Sequence, residues 1–429
     1  MADFQPKLGL ITEKAKITAN GDYNLSGERY RDTISAHTQW PVAPLSEICE
    51  FRSGLWKGEK EPLRVVKILR NTNFTKTGFL NTNDIAEHPV EVNQLESRLL
   101  QYGDIILEKS GGGPTQPVGR VAIFNIPNGE YSYSNFTTRI RVIDERADSF
   151  FVWLILNYFY QMGITEGLQK QTSGIRNLDN TAYQQLQIPL PPLDVQKEIV
   201  AEIEGYQKVI DGAYAVINNY RPRIPFHPDW PMVELGKACE TIMDGTHFSP
   251  SNTETGDRLY ITSKNVRENY LDLSNVSYIS EEDHREIYSR CPVRTGDVLY
   301  VKDGANAGIA AINTLKEEFS LLSSVAVLRG KPDVLENRYL AFFLNSDKGR
   351  QSMLSMISGV AITRLTLTKL NSALVPLPPL DMQQSIVAEI EAEQALVKAN
   401  RELITRFEKK IHATLAGVWG KEASPVAES

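Results

Sequence analysis

One phrase occurs twice in this chain, and its two copies divide the sequence into two similar halves. IPLPPLDVQKEIVAEIE at residues 188–204 returns as VPLPPLDMQQSIVAEIE at residues 375–391. The same landmarks precede each copy in the same order: a WP phrase at Trp40 or Trp230, an apolar phrase with a central Asn, a GDI or GDV phrase, and a turn that contains Gly. Repetition on this scale predicts two related domains, each followed by its own helix.

The landmarks divide the chain into six segments. We predict an N-terminal extension at 1–39, a first domain at 40–188, a central helix and linker at 189–229, a second domain at 230–374, a C-terminal helix at 375–419 and a flexible tail at 420–429. Short β-branched runs bounded by Gly, Pro or Asn predict strands at 64–69, 104–107, 118–124 and 138–143. Runs rich in Leu and aromatic residues predict helices at 150–160 and 338–345. The predicted fold class is α+β, with two similar α/β domains separated by two long helices.

The repeated phrase also predicts how each long helix begins and what it packs against. Its prolines favour an extended entry, and Asp194 and Asp381 are placed to cap the first amide groups. Apolar residues then recur at alternating spacings of four and three, which predicts an antiparallel coiled coil. The predicted seam residues are Ile199, Ile203, Tyr206, Ile210, Ile217, Ile386, Ile390, Val397, Asn400, Ile404, Phe407 and Ile411. Asn400 would fix the register. The alternative is two independent amphipathic helices, each lying on its own domain.

Composition excludes several classes of protein. The chain is 41% hydrophobic and 23% charged with a formal net charge of −7, which is typical of a globular protein and excludes a uniformly basic nucleic-acid coat. The absence of a signal-peptide pattern and of a membrane-spanning run favours a cytoplasmic protein that does not contact membranes. Cys49, Cys239 and Cys291 form no CxxC pair, so we expect reduced, buried thiols.

Sequence patterns for catalysis are missing from the chain. The double prolines occur only as LPPL, whereas an amino-methyltransferase is expected to carry a [DNS]PP[YFW] phrase. SGGGP at 110–114 lacks the GxxxxGK[ST] pattern that wraps phosphates, and the six histidines lack zinc spacing. The acidic phrase at 104–109 resembles a metal site, but its spacing is wrong and the second domain does not repeat it. We therefore expect no catalytic residues, no metal site and no cofactor in this chain.

The ordered set of phrases resembles the specificity subunit of a type I restriction-modification system, the HsdS family. The phrases are LPPLxxQxxIVAEIE twice, GDI and GDV, DGTH at 244–247, and the turns TSGIRNL at 172–178 and ISGVAIT at 357–363. A PPL before a helix is common, whereas two ordered sets in one chain are specific. The resemblance implies two target-recognition domains, each of which reads one half of a split, asymmetric DNA sequence, and helices that set the gap between the halves.

The resemblance also implies partners. Besides double-stranded DNA, these are two modification subunits, which carry S-adenosylmethionine and methylate adenine, and the restriction subunits, a motor and nuclease, of the complete complex. The long helices of the family help to dock the modification subunits. GDYNLSGERY at 21–30 is similar to a phrase near the C-terminal end of modification subunits, so the extension is either a docking element or a plain ordered segment.

Sequence reading in the major groove needs donors and acceptors, with Arg suited to guanine, Asn or Gln to adenine, and Lys or Ser to phosphate. In the first domain we predict DNA contacts from Lys57, Lys60, Arg70, Asn71, Asn73, Lys109, Ser110, Arg120, Arg139 and Arg176. In the second domain we predict them from Thr246, His247, Lys264, Asn265, Arg267, Lys302, Asn306, Ser324 and Arg364. The alternative for any one of them is a solvated surface group or a turn residue.

Helix length connects the two predicted domains to DNA geometry. A helix of about 27 residues spans roughly 40 Å, which is close to the 34–36 Å of about one turn of B-form DNA. Two domains at the ends of such helices would reach successive major grooves. Two other functions stay open: a standalone methyltransferase or nuclease, and a coiled-coil scaffold whose domains bind protein.

Overall fold

The computed structural model describes residues 38–56, 58, 60–113, 116–172, 175–356 and 364–420, together with Lys14. Four subjects of sequence prediction lie outside these residues: the GDYNLSGERY phrase at 21–30, Lys57, the ISGVAIT turn at 357–363, and the tail from 421 onward. Among the described residues, no helix combines the length and the apolar character needed to cross a bilayer.

The first domain is built mainly from short antiparallel strands. These are β1 (Val42–Pro44), β2 (Cys49–Ser53), β3 (Leu63–Leu69), β4 (Ala86–Glu91), β5 (Ile105–Glu108), β6 (Ser110–Gly112), β7 (Val121–Ile123), β8 (Tyr131–Tyr133), β9 (Thr137–Val142), β10 (Gln169–Thr172), β11 (Ile175–Leu178) and β12 (Gln187–Pro189). Over the described residues they form sheets of order β2-β9-β5-β7, β4-β3-β8, β10-β11-β6 and β1-β12. Neighbouring strands are antiparallel except β3 and β8, which are parallel.

The helices of the first domain are short, apart from the one that carries most of its core. They are α1 (Leu45–Ile48), α2 (Val92–Leu95), α3 (Ser149–Gln161) and α4 (Asn180–Gln184), with 3-10 turns at Asn71–Asn73, Glu96–Arg98 and Ile164–Leu168. Asp148 caps α3, since its carboxylate accepts hydrogen bonds from the Phe150 and Phe151 amides at 3.0 Å. α3 then packs on β7, and the long helix α5 (Leu193–Asn219) follows the domain.

The second domain repeats this arrangement. Its strands are β13 (Met232–Glu234), β14 (Cys239–Asp244), β15 (Arg258–Ile261), β16 (Val266–Arg267), β17 (Tyr270–Leu271), β18 (Ser277–Ile279), β19 (Val298–Val301), β20 (Ala310–Ile312), β21 (Ser320–Leu321), β22 (Val325–Gly330) and β23 (Leu374–Pro376). Its helices are α6 (Leu235–Ala238), α7 (Glu281–Arg290), α8 (Asn337–Asn345), α9 (Asp347–Ser355) and α10 (Leu367–Ser372), and α11 (Leu380–Trp419) follows.

The sheets of the second domain show that the repeat in sequence is a repeat of fold. The orders β14-β22-β19-β20, β18-β15-β21 and β13-β23 match three sheets of the first domain, and β15 runs parallel to β21 as β3 does to β8. A hairpin, β16-β17, is added. The α+β class predicted from the sequence is confirmed.

The predicted strands and helices are also confirmed, with one run shorter than expected. Of the predicted strand at 118–124, only Val121–Ile123 is extended within a sheet. Gly119 has a φ of +106°, a conformation that L residues rarely adopt, and the strand begins only after it. The three predicted buried thiols are buried and free, and burial raises the pKa of each to about 12.

The chain divides into two compact units, and each long helix contributes to both. The first unit runs through Tyr214 and takes in the chain from Glu402 onward, and the second runs from Ala215 to Arg401. In the first unit, Ile203 and the last turns of α11 join the core of the first domain, where the Trp419 ring meets Phe159 at 4.6 Å. In the second unit, Ile386, Val387 and Ile390 at the start of α11 join the core of the second domain.

In the first unit the long helices meet along part of the predicted seam. Every predicted seam residue is buried or half-buried. In the first unit the rings of Tyr206 and Phe407 lie 5.2 Å apart, and Ile203 shares a core with Leu415, so the two helices run antiparallel. Asn400 donates from its side chain to the Leu396 carbonyl at 2.8 Å, a bond within its own helix.

The predicted capping role of Asp194 and Asp381 is wrong in position. α5 begins at Leu193 and α11 at Leu380, so both aspartates lie inside the first helical turn, where a negative charge favours the helix dipole. α11 has 40 residues against 27 in α5, and it ends at Trp419, where the predicted C-terminal helix segment also ends.

A buried glutamine holds each long helix onto its domain. Gln196 accepts a hydrogen bond from the Asp148 amide and donates to the carbonyls of Arg146 and Pro191, all at 2.8 Å. Gln383 repeats this with the Glu336 amide at 2.9 Å and the carbonyls of Val334 and Pro378. Asp148 and Glu336 are the residues that cap α3 and α8, so the Gln of the repeated phrase joins two helix starts.

Candidate nucleic-acid interface

Three loops of the first domain meet at the ends of β2, β3 and β5. We name them the Gly loop (53–56), the Asn turn (70–73) and the Lys loop (109–113). Lys109 Nζ donates to Ser53 Oγ at 3.0 Å, which joins the Lys loop to the Gly loop. Asn71 Nδ2 donates to Glu108 Oε1 at 2.8 Å, which joins the Asn turn to the end of β5. Loops held together on a rigid scaffold are a common place for recognition.

The second domain has the same three loops. Its Gly loop is 244–247, its Asn turn is 262–265 and its Lys loop is 302–306. Lys302 Nζ lies 3.2 Å from Asp244 Oδ2, where the first domain has a lysine and a serine. Asn306 Nδ2 donates to the Ser263 carbonyl at 3.4 Å, which joins the Lys loop to the Asn turn.

Backbone hydrogen bonds establish which positions of the two domains correspond. Leu55 N donates to Tyr133 O at 2.9 Å, and Thr246 N donates to Leu321 O at 2.8 Å. The amides of Lys109 and Lys302 likewise bond to the carbonyls of Phe136 and Ser324, and those of Leu178 and Leu365 bond to the two lysine carbonyls. The corresponding pairs are Ser53 with Asp244, Trp56 with His247, Asn71 with Ser263, Ser110 with Asp303, Phe136 with Ser324, and Asn177 with Arg364.

Both Gly loops need a residue without a side chain. A Cβ atom on Gly54 would lie 1.9 Å from Ser134 O, and one on Gly245 would lie 1.9 Å from Leu321 O. Such a contact with backbone cannot be relieved by a side-chain movement. The SG and DG phrases therefore bring the loop close to a neighbouring strand and set the path of the residues that follow.

The central asparagines of the repeat shape the Asn turns from inside. Asn73 accepts from the Arg70 amide at 2.9 Å and donates to the carbonyls of Asn81 and Asp84. Asn265 accepts from the Thr262 amide and donates to two carbonyls in the same way. Both side chains are buried. We therefore correct the predicted DNA contacts of Asn73 and Asn265, because these amides are already used to fold the turn.

Each domain has a shallow cavity beside these loops, bordered by the Gly and Lys loops in the first domain and by the Asn turn and the Lys loop in the second. The cavity of the first domain measures about 290 Å³ and is lined by Trp56, Lys109, Ser110, Asn135, Phe136, Asn177, Leu178 and Asn180. The cavity of the second domain measures about 250 Å³ and is lined by Lys264, Asn265, Arg267, Asp272, Asn275 and Asn306. Amide, hydroxyl and cationic groups dominate both linings, which suits base edges and phosphates.

Several predicted cations are tied to carboxylates. Arg139 is 3% exposed and pairs with Glu50 at 3.0 Å, and Lys302 is 1% exposed and pairs with Asp244, so both predicted DNA contacts are corrected to structural ion pairs. Arg120 pairs with the buried Glu108 at 2.7 Å. Lys109 differs from Lys302, because its partner is a hydroxyl; partial burial lowers the pKa of Lys109.

The other predicted residues are found in varied surroundings. Ser110 Oγ donates to Asn177 Oδ1 at 2.6 Å, and Arg176 is half-buried on β11. Thr246 and Ser324 are buried, and their hydroxyls accept backbone amides, so they support the loops. The remaining side chains are exposed or half-buried at the surface: Lys60, Arg70, Asn71, His247, Lys264, Arg267, Asn306 and Arg364. Of these, Arg70, Arg267 and Arg364 lie 3.5, 3.4 and 3.8 Å from Asp84, Asp272 and Asp303.

The aspartate of the GD phrase is structural in both domains. Asp104 receives two hydrogen bonds of 2.6 Å from Arg141, and Asp297 receives two of 2.7 Å from Arg329. Both carboxylates are buried. The resemblance of 104–109 to an acidic metal site therefore has a different cause, since arginines hold both Asp104 and Glu108.

Sequence reasoning missed the aromatic side chains of the first cavity. Trp56 is 62% exposed and Phe136 is 46% exposed, and both line the cavity beside Lys109. The sequence contains one signal for Trp56, because it stands two residues after the glycine of the SG phrase, at the position that His247 has in the DGTH phrase. Nothing in the sequence marked Phe136, Asn135 or Asn177.

Comparisons with known proteins agree with the duplicated fold. A 21% identical protein of Methanocaldococcus jannaschii, provisionally named the MjaX type I restriction enzyme specificity subunit, aligns over 87% of this chain and 91% of its own length. The specificity subunit of the EcoKI type I restriction enzyme of Escherichia coli K12 is 20% identical over 82% of this chain and 81% of its own length.

A solved chain from a study of complex assembly and conformational transition of the type I R-M system has the same fold. It has a TM-score of 0.55 and 21% identity, and the match covers 89% of this chain and 97% of that one. The family model for the type I restriction modification DNA specificity domain matches twice, at residues 38–214 and 228–406. Because two copies of this model account for most of the sequence, the chain belongs to the type I restriction-modification DNA specificity family.

Proposed function

We propose that this chain is the DNA-reading subunit of a type I restriction-modification complex, in which each domain recognises one half of a bipartite, asymmetric site. The paired long helices set the gap between the halves and dock two adenine-methylating modification subunits. These subunits bind S-adenosylmethionine, restriction subunits complete the complex, and this chain performs no catalysis. Its place of action is the cytoplasm, with the cellular DNA.

One observation carries this proposal: the two domains keep the same loop backbone and vary the side chains on it. Matching amides and carbonyls hold both sets of loops, while Asn71 corresponds to Ser263 and Asn177 to Arg364. A protein that needed one ligand in both places would be expected to repeat the side chains as well as the frame. Different side chains on one frame suit two different half-sites, because base edges are distinguished by donors, acceptors and methyl groups.

The charges near the loops favour sequence-specific recognition of DNA over non-specific electrostatic binding. Ion pairs within each domain neutralise several cations near the cavities, including Arg120 and Lys302. Affinity for DNA from a general positive field is therefore small, and the modification subunits are expected to contribute phosphate contacts.

A domain exchange tests the proposal. We replace residues 40–188 with the corresponding domain of a specificity subunit that has a different target, co-express the chimera with the modification subunits, and map methylated adenines in the cellular DNA. One half of the methylated sequence is expected to change to that of the donor, while the other half and the presence of a gap persist.

The matched control exchanges residues 230–374 and is expected to change only the other half. Methylation by this chain without modification subunits would contradict the proposal and identify a standalone methyltransferase. An unchanged methylation pattern in both chimeras would favour a scaffold whose domains bind protein.

A further inference from the structure

We propose that Trp56 and His247 are the base-reading side chains of the two Gly loops, with different chemistry for the two half-sites. This inference rests on the proposed function. Trp56 and His247 occupy corresponding positions in the two Gly loops. The backbone around them is the same in both domains, but the side chains differ.

The first step is the backbone. Gly54 and Gly245 each pass a neighbouring strand so closely that no Cβ atom fits, and the next amide, of Leu55 or Thr246, is held by a carbonyl of that strand. The second residue after each glycine is then directed to solvent. Trp56 is 62% exposed and the His247 side chain is 61% exposed, although a large aromatic residue is ordinarily more buried.

The second step is what lies beneath each side chain. In the second domain, Asp244 is shared by Lys302 at 3.2 Å and His247 Nε2 at 3.4 Å. The buried lysine holds the carboxylate, and the imidazole has its Nε2 on the side of the same carboxylate. In the first domain the corresponding Ser53 is a hydroxyl that binds Lys109, so the Gly loop of Trp56 has no counterpart of the Asp244 carboxylate within 53–56.

The third step is the chemistry of recognition. We assign to His247 the tautomer that carries its hydrogen on Nε2, the nitrogen nearest to Asp244; its Nδ1 is then an acceptor, and acceptors in the major groove pair with the amino groups of adenine or cytosine. Trp56 offers a broad apolar face beside Phe136, which suits contact with the methyl group of thymine. The Gly loop of the second domain therefore reads a polar amino group, and that of the first domain reads an apolar methyl group. Asp244 and Lys302 act through His247 as positioning residues.

The experiment uses the full chain with its modification subunits and a library of DNA sites whose half-sites are randomised one position at a time. Trp56→Ala is expected to reduce discrimination about 5- to 100-fold at one position of the first half-site, and His247→Ala is expected to do the same in the second. His247→Gln retains an acceptor and is expected to restore part of that discrimination. In each variant, the unaltered half-site reports that the complex has folded and assembled.

The chain offers matched controls. Tyr102 is 63% exposed in the first domain but packs on Phe150, and His227 is 61% exposed with its Nδ1 3.4 Å from Asp229, outside the Gly loop. Tyr102→Ala and His227→Ala are expected to leave discrimination at wild-type values.

The outcomes separate the inference from the proposed function. If the wild-type complex methylates no bipartite sequence, the proposed function fails. If it methylates one and Trp56→Ala or His247→Ala weakens methylation of every sequence equally, or changes nothing, the assignment of these residues is wrong while the function stands.

Discussion

The role of Asp104, a residue repeated in both domains, is interpreted differently once its neighbours in the structure are known. In the sequence it belongs to a GD phrase beside a glutamate and a lysine, and the structure shows it buried under two hydrogen bonds from Arg141. Asp297 and Arg329 form the same pair in the second domain. Residues that are identical in both domains and make the same contacts therefore maintain the backbone. Residues that differ at corresponding loop positions are not needed for that backbone and are free to recognise different partners.

Removal of the arginine tests this role. Arg141→Ala is expected to lower the free energy of unfolding of the first domain by about 3–5 kcal/mol, because it leaves a buried carboxylate without its counter-charge. Urea denaturation monitored by intrinsic fluorescence measures the change. The control is Arg64→Ala, which breaks the exposed Arg64–Glu130 pair and is expected to cost under about 1 kcal/mol. Equal costs for the two variants would show that the Asp104 pair is not a structural element.

At the scale of the elements, the junction between each domain and its long helix depends on one glutamine. Gln196 and Gln383 are fully buried, and each satisfies an amide at a cap residue and two carbonyls. The repeated phrase thus encodes more than a helix start: the prolines lead the chain in, and the glutamine attaches the first turn to the start of α3 or α8.

Loss of this attachment is expected to be costly. Gln196→Ala leaves the Asp148 amide and two carbonyls buried without partners, so the free energy of unfolding is expected to fall by at least about 1–3 kcal/mol. Hydrogen exchange at the Asp148 amide is expected to speed up. Gln207→Ala removes only a surface hydrogen bond to Asp211 on the same helix and serves as the control, with an expected change below about 0.5 kcal/mol. Unchanged exchange at Asp148 would contradict the attachment.

At the scale of the whole molecule, each long helix contributes to both compact units. α5 carries Ile203 into the core of the first unit, and α11 begins in the core of the second unit and ends beside Phe159 in the first. Each end of α11 is therefore held by apolar contacts with one domain. Under the proposed function, the length of the long helices is a determinant of the gap between half-sites.

A matched insertion tests that determinant. One heptad placed after Tyr206 in α5 and one before Phe407 in α11 preserves the seam where these rings meet and lengthens each helix by roughly 10 Å. The gap in the methylated sequence is expected to grow by about three base pairs. A heptad in α5 alone misaligns the seam and is expected to abolish methylation. If the double insertion leaves the gap unchanged, the loops and not the helices set it.

Much of this architecture follows from local sequence patterns that occur in both halves of the chain. Two domains, the α+β class, the principal strands and helices and the family were all predictable, because periodicity and repeated phrases act through neighbours in sequence. The DNA contact of Lys57 and the role of the GDYNLSGERY phrase stay predictions, because both lie outside the described residues. The capping role of Asp194 was misplaced: α5 begins at Leu193, where the Pro192 carbonyl accepts the Gln196 amide, so Asp194 is already the second residue of the helix.

The choice between recognition and support was decided only by tertiary structure. Asn73 and Asn71 are two residues apart in one turn, yet Asn73 is buried with its amide bonded to backbone groups, whereas Asn71 is half-buried and donates to the side chain of Glu108. Lys109 and Lys302 occupy the same position, and a serine or an aspartate from a distant strand determines which is locked. Burial and hydrogen-bond partners are set by residues far away in sequence, so a lysine at the same position is bonded to a hydroxyl in one domain and paired with a carboxylate in the other.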